Sequence, residues 1–181
     1  MIRFATACAA VIFAAAPLQA QMATTPANEM TPPLAVATSQ AQPYLFAAGQ
    51  SDLFEITSAL VALQRTQTPA VREFAQTMIL QHTKTTNAAL AAAKTAGVVP
   101  PPPVLDASMR QMVTTLLDVP AAQFDSTYLG QQVPSHQKAL EVVTGYARSG
   151  DEAVLRAAAA ITVPIVADHL RMAQALRSRT M

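Results

Sequence analysis

Three histidines and one glutamate are the residues of this sequence that could do chemistry together. His82, His136 and His169 are its whole complement of histidine. Each lies in a different helical stretch, near the middle and on the apolar side, and a fourth stretch offers Glu55. Three imidazoles and a carboxylate can hold a divalent transition metal. Nitrogen donors suit Zn, Cu, Fe or Ni, and a thioether from Met78 or Met172 would favour Cu(I). Asp52, Tyr128 and Asp168 are further candidates, as alternate ligands or as hydrogen-bond partners behind the ligands. The competing use is structural: core histidines bonded to one another, to Glu55 or to backbone freed at helix kinks. A lone buried histidine usually has that role, and methionine usually fills a core. Three histidines at one level strengthen the metal reading.

Four long helices must position these side chains. The second is the most fully written. Thr68 is a candidate N-cap, Pro69 follows where a missing N–H costs nothing, and Gly97 can take the left-handed conformation that ends a helix. Between them Val71, Phe74, Ala75, Met78, Ile79, His82, Ala89 and Leu90 recur at helical spacing. The first helix is expected over residues 43–66, with an apolar stripe of Leu45, Phe46, Leu53, Ile56, Leu60 and Leu63. Glu55 lies on a face of small residues with Ala48, Ser51, Ala59 and Ala62, which lets a neighbour approach closely. Four prolines, Pro100 to Pro103, cannot be helical and make a stiff crossover. A short helix over 106–117 follows, expected to cap one end.

The third long helix is expected from Pro120 to Arg148, with Phe124, Tyr128, Leu129, Val133, His136, Leu140 and Val143 inward. The fourth is expected over 152–178, with Val154, Leu155, Ile161, Ile165, His169, Met172 and Leu176 inward. Pro134 and Pro164 interrupt the hydrogen-bond ladders of these two helices. The expected fold is all-α, an up-down-up-down four-helix bundle with a short extra helix in the second crossover. In that topology the turns at 66–69 and 149–151 share an end. Counted from it at about 1.5 Å per residue, Glu55, His82 and His136 sit at one level, and His169 about one turn lower.

Composition bounds the rest. The first twenty residues read as a signal peptide: Arg3, an apolar run from Ala7 to Ala16, and a small-residue cleavage site ending at Ala20. That run is too short to span a membrane. Residues 21–42, rich in Pro, Thr and Ala, read as a flexible leader, and 43–178 as the domain. Removing residues 1–20 takes Arg3 and no acid, so 11 basic residues face 11 acidic ones, and nothing attracts nucleic acid. Cys8 leaves with the signal, so the mature chain is thiol-free and the expected location is periplasmic or secreted. No Glu-x-x-His pair, phosphate loop or G-x-S-x-G elbow is present. Acid–base catalysis by Glu55 beside a histidine is the weakest reading, and an enzyme is not spelled out.

The segments FAAGQSDLFEITSALVALQ, PAVREFAQTMILQHTKTT, FDSTYLGQQVPSHQKALEVV and VPIVADHLRMAQAL together resemble the exported bacterial family called domain of unknown function 4142. The resemblance spans about residues 43–177 and rests on Glu55, Phe74-Ala75…His82, Phe124-Asp125…Tyr128…His136 and Pro164…His169. It implies a ferritin-like four-helix fold and an envelope location, without an established activity. This chain departs from the family pattern at Gln81, where an acid is common, and at Pro134. Two functions follow as expectations. One is an envelope protein holding a transition metal through Glu55, His82, His136 and His169. The other is a non-catalytic envelope or stress-related interaction module with structural histidines, whose low charge and alanine-rich helices suit self-association or a protein partner.

Overall fold

A computed structural model describes residues 34–180, which are helical apart from their connections. A single turn, α1 (Leu34–Ala37), precedes α2 (Ala41–Arg65), α3 (Pro69–Ala96), α4 (Ala107–Asp118), α5 (Phe124–Ser149) and α6 (Ala153–Thr180). The expected signal peptide and the leader up to residue 33 lie outside the described residues. The described remainder of that leader is not loose: Ala37 and Ala41 are buried, and Ser39 accepts a backbone bond from Asp151. The first long helix therefore starts two residues earlier than expected.

The helix ends follow local chemistry, with two corrections. Gly97 takes φ 70° and its N–H bonds the Ala93 and Lys94 carbonyls, closing α3 as expected. Asp106 caps α4 by accepting from the Met109 N–H at 2.8 Å. Thr68, however, does not cap α3; its hydroxyl donates instead to Asp125 Oδ2 at 2.5 Å. Pro120 opens a 3₁₀ turn, Ala121–Gln123, and α5 begins only at Phe124.

Helices α2, α3, α5 and α6 form a bundle in which α2 packs on α3 and α5, and α6 on α3 and α5. The direction of the helices departs from the expected up-down-up-down order. The α2–α3 connection lies beside the start of α5, through Thr68 and Asp125. The α5–α6 connection lies at the opposite end, beside the start of α2: Asp151 bonds Ser39, and Tyr44 stacks on Tyr146 at 3.9 Å between ring centroids. Helices α3 and α5 thus run in the same direction, and every packed pair among the four is antiparallel. The reason is the crossover. Residues 97–106 and α4 return the chain along the length of the bundle, held to α2 where Gln50 donates to the Val104 carbonyl at 2.7 Å. Arg65 clamps the other end of α4 by donating to the carbonyls of Leu116, Leu117 and Val119.

The inward faces are partly rotated from expectation. On α2, Leu60 is 48% exposed, whereas Phe54, Glu55, Ser58, Ala59 and Ala62 are buried. Leu45 and Phe46 of the expected stripe are buried and Leu63 packs on the core, but at Leu60 the small residues Ser58, Ala59 and Ala62 take the contacts, because alanine and serine let helices approach most closely. Leu90 and Ile161, expected inside, are exposed for the same reason: Ala89, Ala92 and Ala93, and Ala158 and Ala159, take the contacts.

Candidate metal centre

The apolar core comes in two clusters, and the candidate residues occupy the gap between them. On α2 the clusters take residues up to Leu45 and from Ala59; Glu55 lies between. On α3 they end at Met78 and resume at Ala92, around His82. On α5 they end at Val133 and resume at Ala139, around His136. On α6 they end at Val166 and resume at Ala173, around His169. Four helices thus contribute one polar layer.

That layer is closed to water. Glu55 and His136 are 0% exposed, His169 1% and His82 2%. The imidazole centroids stand 5.6 Å (His82–His136), 5.0 Å (His82–His169) and 5.4 Å (His136–His169) apart. One nitrogen from each ring lies within 4.8 Å of those of the other two. The expected one-turn offset of His169 is absent. It came from counting the late helices from the wrong end. From the end that holds Thr66, Thr68 and Phe124, Glu55 lies 11 residues in, His82 14, His136 12 and His169 11.

Each imidazole is fixed from its far side. His82 Nδ1 donates to Asp52 Oδ1 at 2.8 Å, His136 Nδ1 to the Gln132 carbonyl at 2.9 Å, and His169 Nε2 to Gln81 Oε1 at 2.8 Å. A carbonyl or carboxylate oxygen only accepts, so the proton of each neutral ring sits on that bonded nitrogen. The remaining nitrogens, His82 Nε2, His136 Nε2 and His169 Nδ1, then carry lone pairs, and none of the three has a partner. This is the arrangement by which outer hydrogen bonds set the tautomer and aim of metal-binding histidines.

Glu55 stands outside the converging nitrogens. Its Oε1 is 3.7 Å from His136 Nδ1, and both of its oxygens are buried without a partner. The hydroxyl of Tyr128 and Oε1 of Gln132 are also buried and unpartnered. The structure therefore places Glu55 as a buried carboxyl group beside His136, not in the cluster itself. Burial, and then the charge of Glu55, push the Tyr128 phenol well above its ordinary range. Burial opposes charge on His82, but the hydrogen bond and charge of Asp52, with the charge of Glu55, outweigh it and raise that pKa. Burial, reinforced by His82 and His136, lowers His169 to about 3 and keeps its lone pair free at neutral pH.

The other candidates divide cleanly. Asp52 is the support of His82 and also accepts from the Thr86 hydroxyl. Asp168 does not take part: it is 64% exposed and paired with Arg171, since the helical step of about 100° per residue turns it away from the face that buries His169. Met78 is buried in the apolar cluster with Phe74 and Tyr128, and Met172 packs against that cluster, the ordinary place for a thioether. Sequence reasoning did not assign roles to Gln132 or Thr86. It did single out Gln81 as an unusual residue, and that residue proves to orient His169.

The comparisons bear on the fold more than on the chemistry. The family model described as Domain of unknown function (DUF4142) matches residues 23–176. The chain belongs to this family. A crystal structure of a DUF305 fragment from Deinococcus radiodurans is similar, with a TM-score of 0.64 and 20% sequence identity. That similarity covers 82% of this chain and 98% of the fragment, and at such identity it speaks for the fold alone. No match is found among curated proteins. Membership of the DUF4142 family accords with the all-helical bundle and assigns no activity to the histidine cluster.

Proposed function

We propose that this protein binds one divalent transition metal in the core of its bundle and works as a metal-binding protein of the bacterial envelope. His82 Nε2, His136 Nε2 and His169 Nδ1 are the ligands, with Glu55 and Asp52 supplying the charge. The observation that carries the reading is that three buried histidines each bring a ring nitrogen within 4.8 Å of the others, and each keeps one ring nitrogen without a partner. Nitrogens sharing one tetrahedral zinc-sized ion stand about 3.4 Å apart, so the widest separation of 4.8 Å closes by roughly 1.4 Å when the rings turn onto the ion. Two carboxylates beside three neutral imidazoles would balance a charge of two. The set favours Zn, Cu, Fe or Ni over Mg or Ca, which prefer oxygen. Fewer than four protein ligands leaves a position for water or a small ligand, as in catalytic and transport sites.

We read the bundle as ferritin-like, its one long crossover joining the parallel helices α3 and α5. Export rests on the charged, apolar and small-residue pattern of residues 1–20. Helix α6 is long and apolar enough to cross a membrane. Its packing on α3 and α5, with His169 in the polar layer, favours a bundle helix. The alternative, an interaction module with structural histidines, leaves three buried nitrogens without partners, and that weighs against it.

The test is elemental analysis of the untagged mature protein beside a His82/His136/His169→Ala triple variant. Near-stoichiometric metal in the first and none in the second is expected. Metal at a hundred times its Kd should also add about 2.7 kcal/mol of stability. A well-folded wild type with no metal, and no thermal shift with Zn, Cu, Fe or Ni, would overturn the proposal.

A further inference from the structure

A cavity of about 390 Å³ opens beside the histidine layer, with His82 and Asp52 in its wall. Protein interiors hold few voids larger than a water molecule, whereas ligand pockets begin near about 300 Å³. The space has a cause in the sequence. Five alanines from four helices, Ala37, Ala47, Ala48, Ala89 and Ala139, line it where larger residues would fill it. Its outer wall is Met109 and Met112 of α4, both half-buried, and thioether side chains adapt readily to a guest.

We propose that this cavity binds a small, uncharged organic molecule with an apolar body and one hydrogen-bond donor directed at Asp52. The walls are chiefly apolar, which opposes an ionised guest. Among the polar groups of the lining, which include Gln50, His82 and Thr85, Asp52 is the carboxylate beside the histidine layer, and its side chain is 16% exposed. Its oxygens accept from His82 and Thr86, yet an ionised carboxylate has about four acceptor positions, so capacity remains. Asp106, nearer the rim, is engaged as the cap of α4. The two carboxylates together disfavour an anion, and Lys138, the one cation in the lining, is exposed to water. The volume is more than twice that of an apolar cavity of about 150 Å³ that holds benzene, so a two-ring compound is the appropriate size. The inference does not rest on bound metal, because the cavity is formed by the chain alone.

The experiment uses the mature protein in chelator and three fluorescent probes. The chain has no tryptophan, so naphthyl fluorescence is read without interference. Saturable binding of 1-naphthol is expected. Naphthalene, which lacks the donor, should bind about tenfold more weakly, since a hydrogen bond to a charged acceptor is lost. The anion 1-naphthoate should show no saturable binding. Ala89→Leu and Ala139→Leu each reduce the space and should abolish naphthol binding while the protein still melts cooperatively; if one fails to fold, the other serves. Asp52→Asn should bring naphthol down toward the affinity of naphthalene. Absence of saturable naphthol binding, equal binding of naphthol and naphthalene, or full binding in a folded alanine-to-leucine variant would overturn the proposal. Metal content measured on the same variants separates this outcome from that of the metal site: both leucine variants should retain metal.

Discussion

Replacing Glu55 by Gln should make the metal-free protein more stable and its metal complex weaker. Three donors near Glu55 are committed elsewhere, and the Tyr128 hydroxyl does not bond to it. The Ser58 hydroxyl donates to the Glu55 backbone carbonyl, the Gln132 amide donates to Ser58, and His136 Nδ1 donates to the Gln132 carbonyl. The carboxylate, 0% exposed, therefore sits without a hydrogen bond on either oxygen. Such a group costs about 1–3 kcal/mol, and more when charged. Glutamine keeps the shape and removes the charge, so a gain of about 1–3 kcal/mol is expected in the apo state. At roughly 2–4 °C per kcal/mol for a domain of this size, the melting temperature in chelator should rise by about 2–12 °C. The same change removes one of the two negative charges available to balance a divalent ion. Loss of such support weakens metal binding about 10–100-fold, which is about 1.4–2.8 kcal/mol less stabilisation by the same metal. The assay is thermal unfolding of wild type and Glu55→Gln, each in chelator and in excess metal. A lower melting temperature in chelator would show that Glu55 is a structural anchor. An unchanged metal-induced shift would show that its charge does not serve the site. Either result refutes the reasoning.

Gln81→Leu removes the acceptor of His169 Nε2 and should cost about 1–3 kcal/mol without metal, with a 10–100-fold fall in metal affinity by titration. Gly97→Ala should cost about 1–2 kcal/mol in denaturant unfolding. The added methyl meets nothing within 4 Å, so the whole effect is the backbone φ of 70°. Stability should fall as pH rises past about 10. Burial first, and then the hydrogen bond to Asp151, push the Tyr146 phenol up to about 12; burial, then Asp52, raise Tyr44 as well. The folded chain therefore keeps protons that the unfolded chain releases, and alkali favours unfolding. Tyr44→Phe should make that decline shallower in melting curves taken between pH 9 and 11.

Helices and histidines were legible in the sequence to different depths. Pro69 and Gly97 marked α3 to the residue because each acts through its own backbone, without a distant partner. The inward direction of His82, His136 and His169 was legible from helical spacing alone. The common level of Glu55, His82 and His136 was reached through a wrong topology, which set His169 one turn lower. The up-down-up-down order assumes a short path between α3 and α5, and local signals do not reveal that Gln50 and Arg65 hold the crossover along α2. The inward face of α2 misled for a similar reason. Hydrophobicity ranks Leu60 above Ala59, but close helix approach selects the smaller residue. The supports of the site were the least legible, because hydrogen bonds such as His169–Gln81 and His82–Thr86 by way of Asp52 join different helices.

A polar layer across a bundle core needs a reason, since an apolar layer of the same volume would usually be as stable or more so. One reason is register: buried polar groups that pair only with one another fix how helices align. That explanation requires the groups to satisfy each other, and here the two sides of the layer differ. The outward nitrogens all have acceptors, Asp52 Oδ1, the Gln132 carbonyl and Gln81 Oε1, which would suffice to fix the helices. The other three nitrogens contribute nothing to register, since none of them has a hydrogen-bond partner. Three lone pairs in one closed layer repel one another unless something positive is shared. A proton could bridge two of them, but the suppressed basicity of His169 opposes a proton on the third. A metal ion accepts all three lone pairs at once and is attracted by Asp52 and Glu55. Under the proposed function, such an ion would turn every unsatisfied nitrogen in the layer from a cost into a bond.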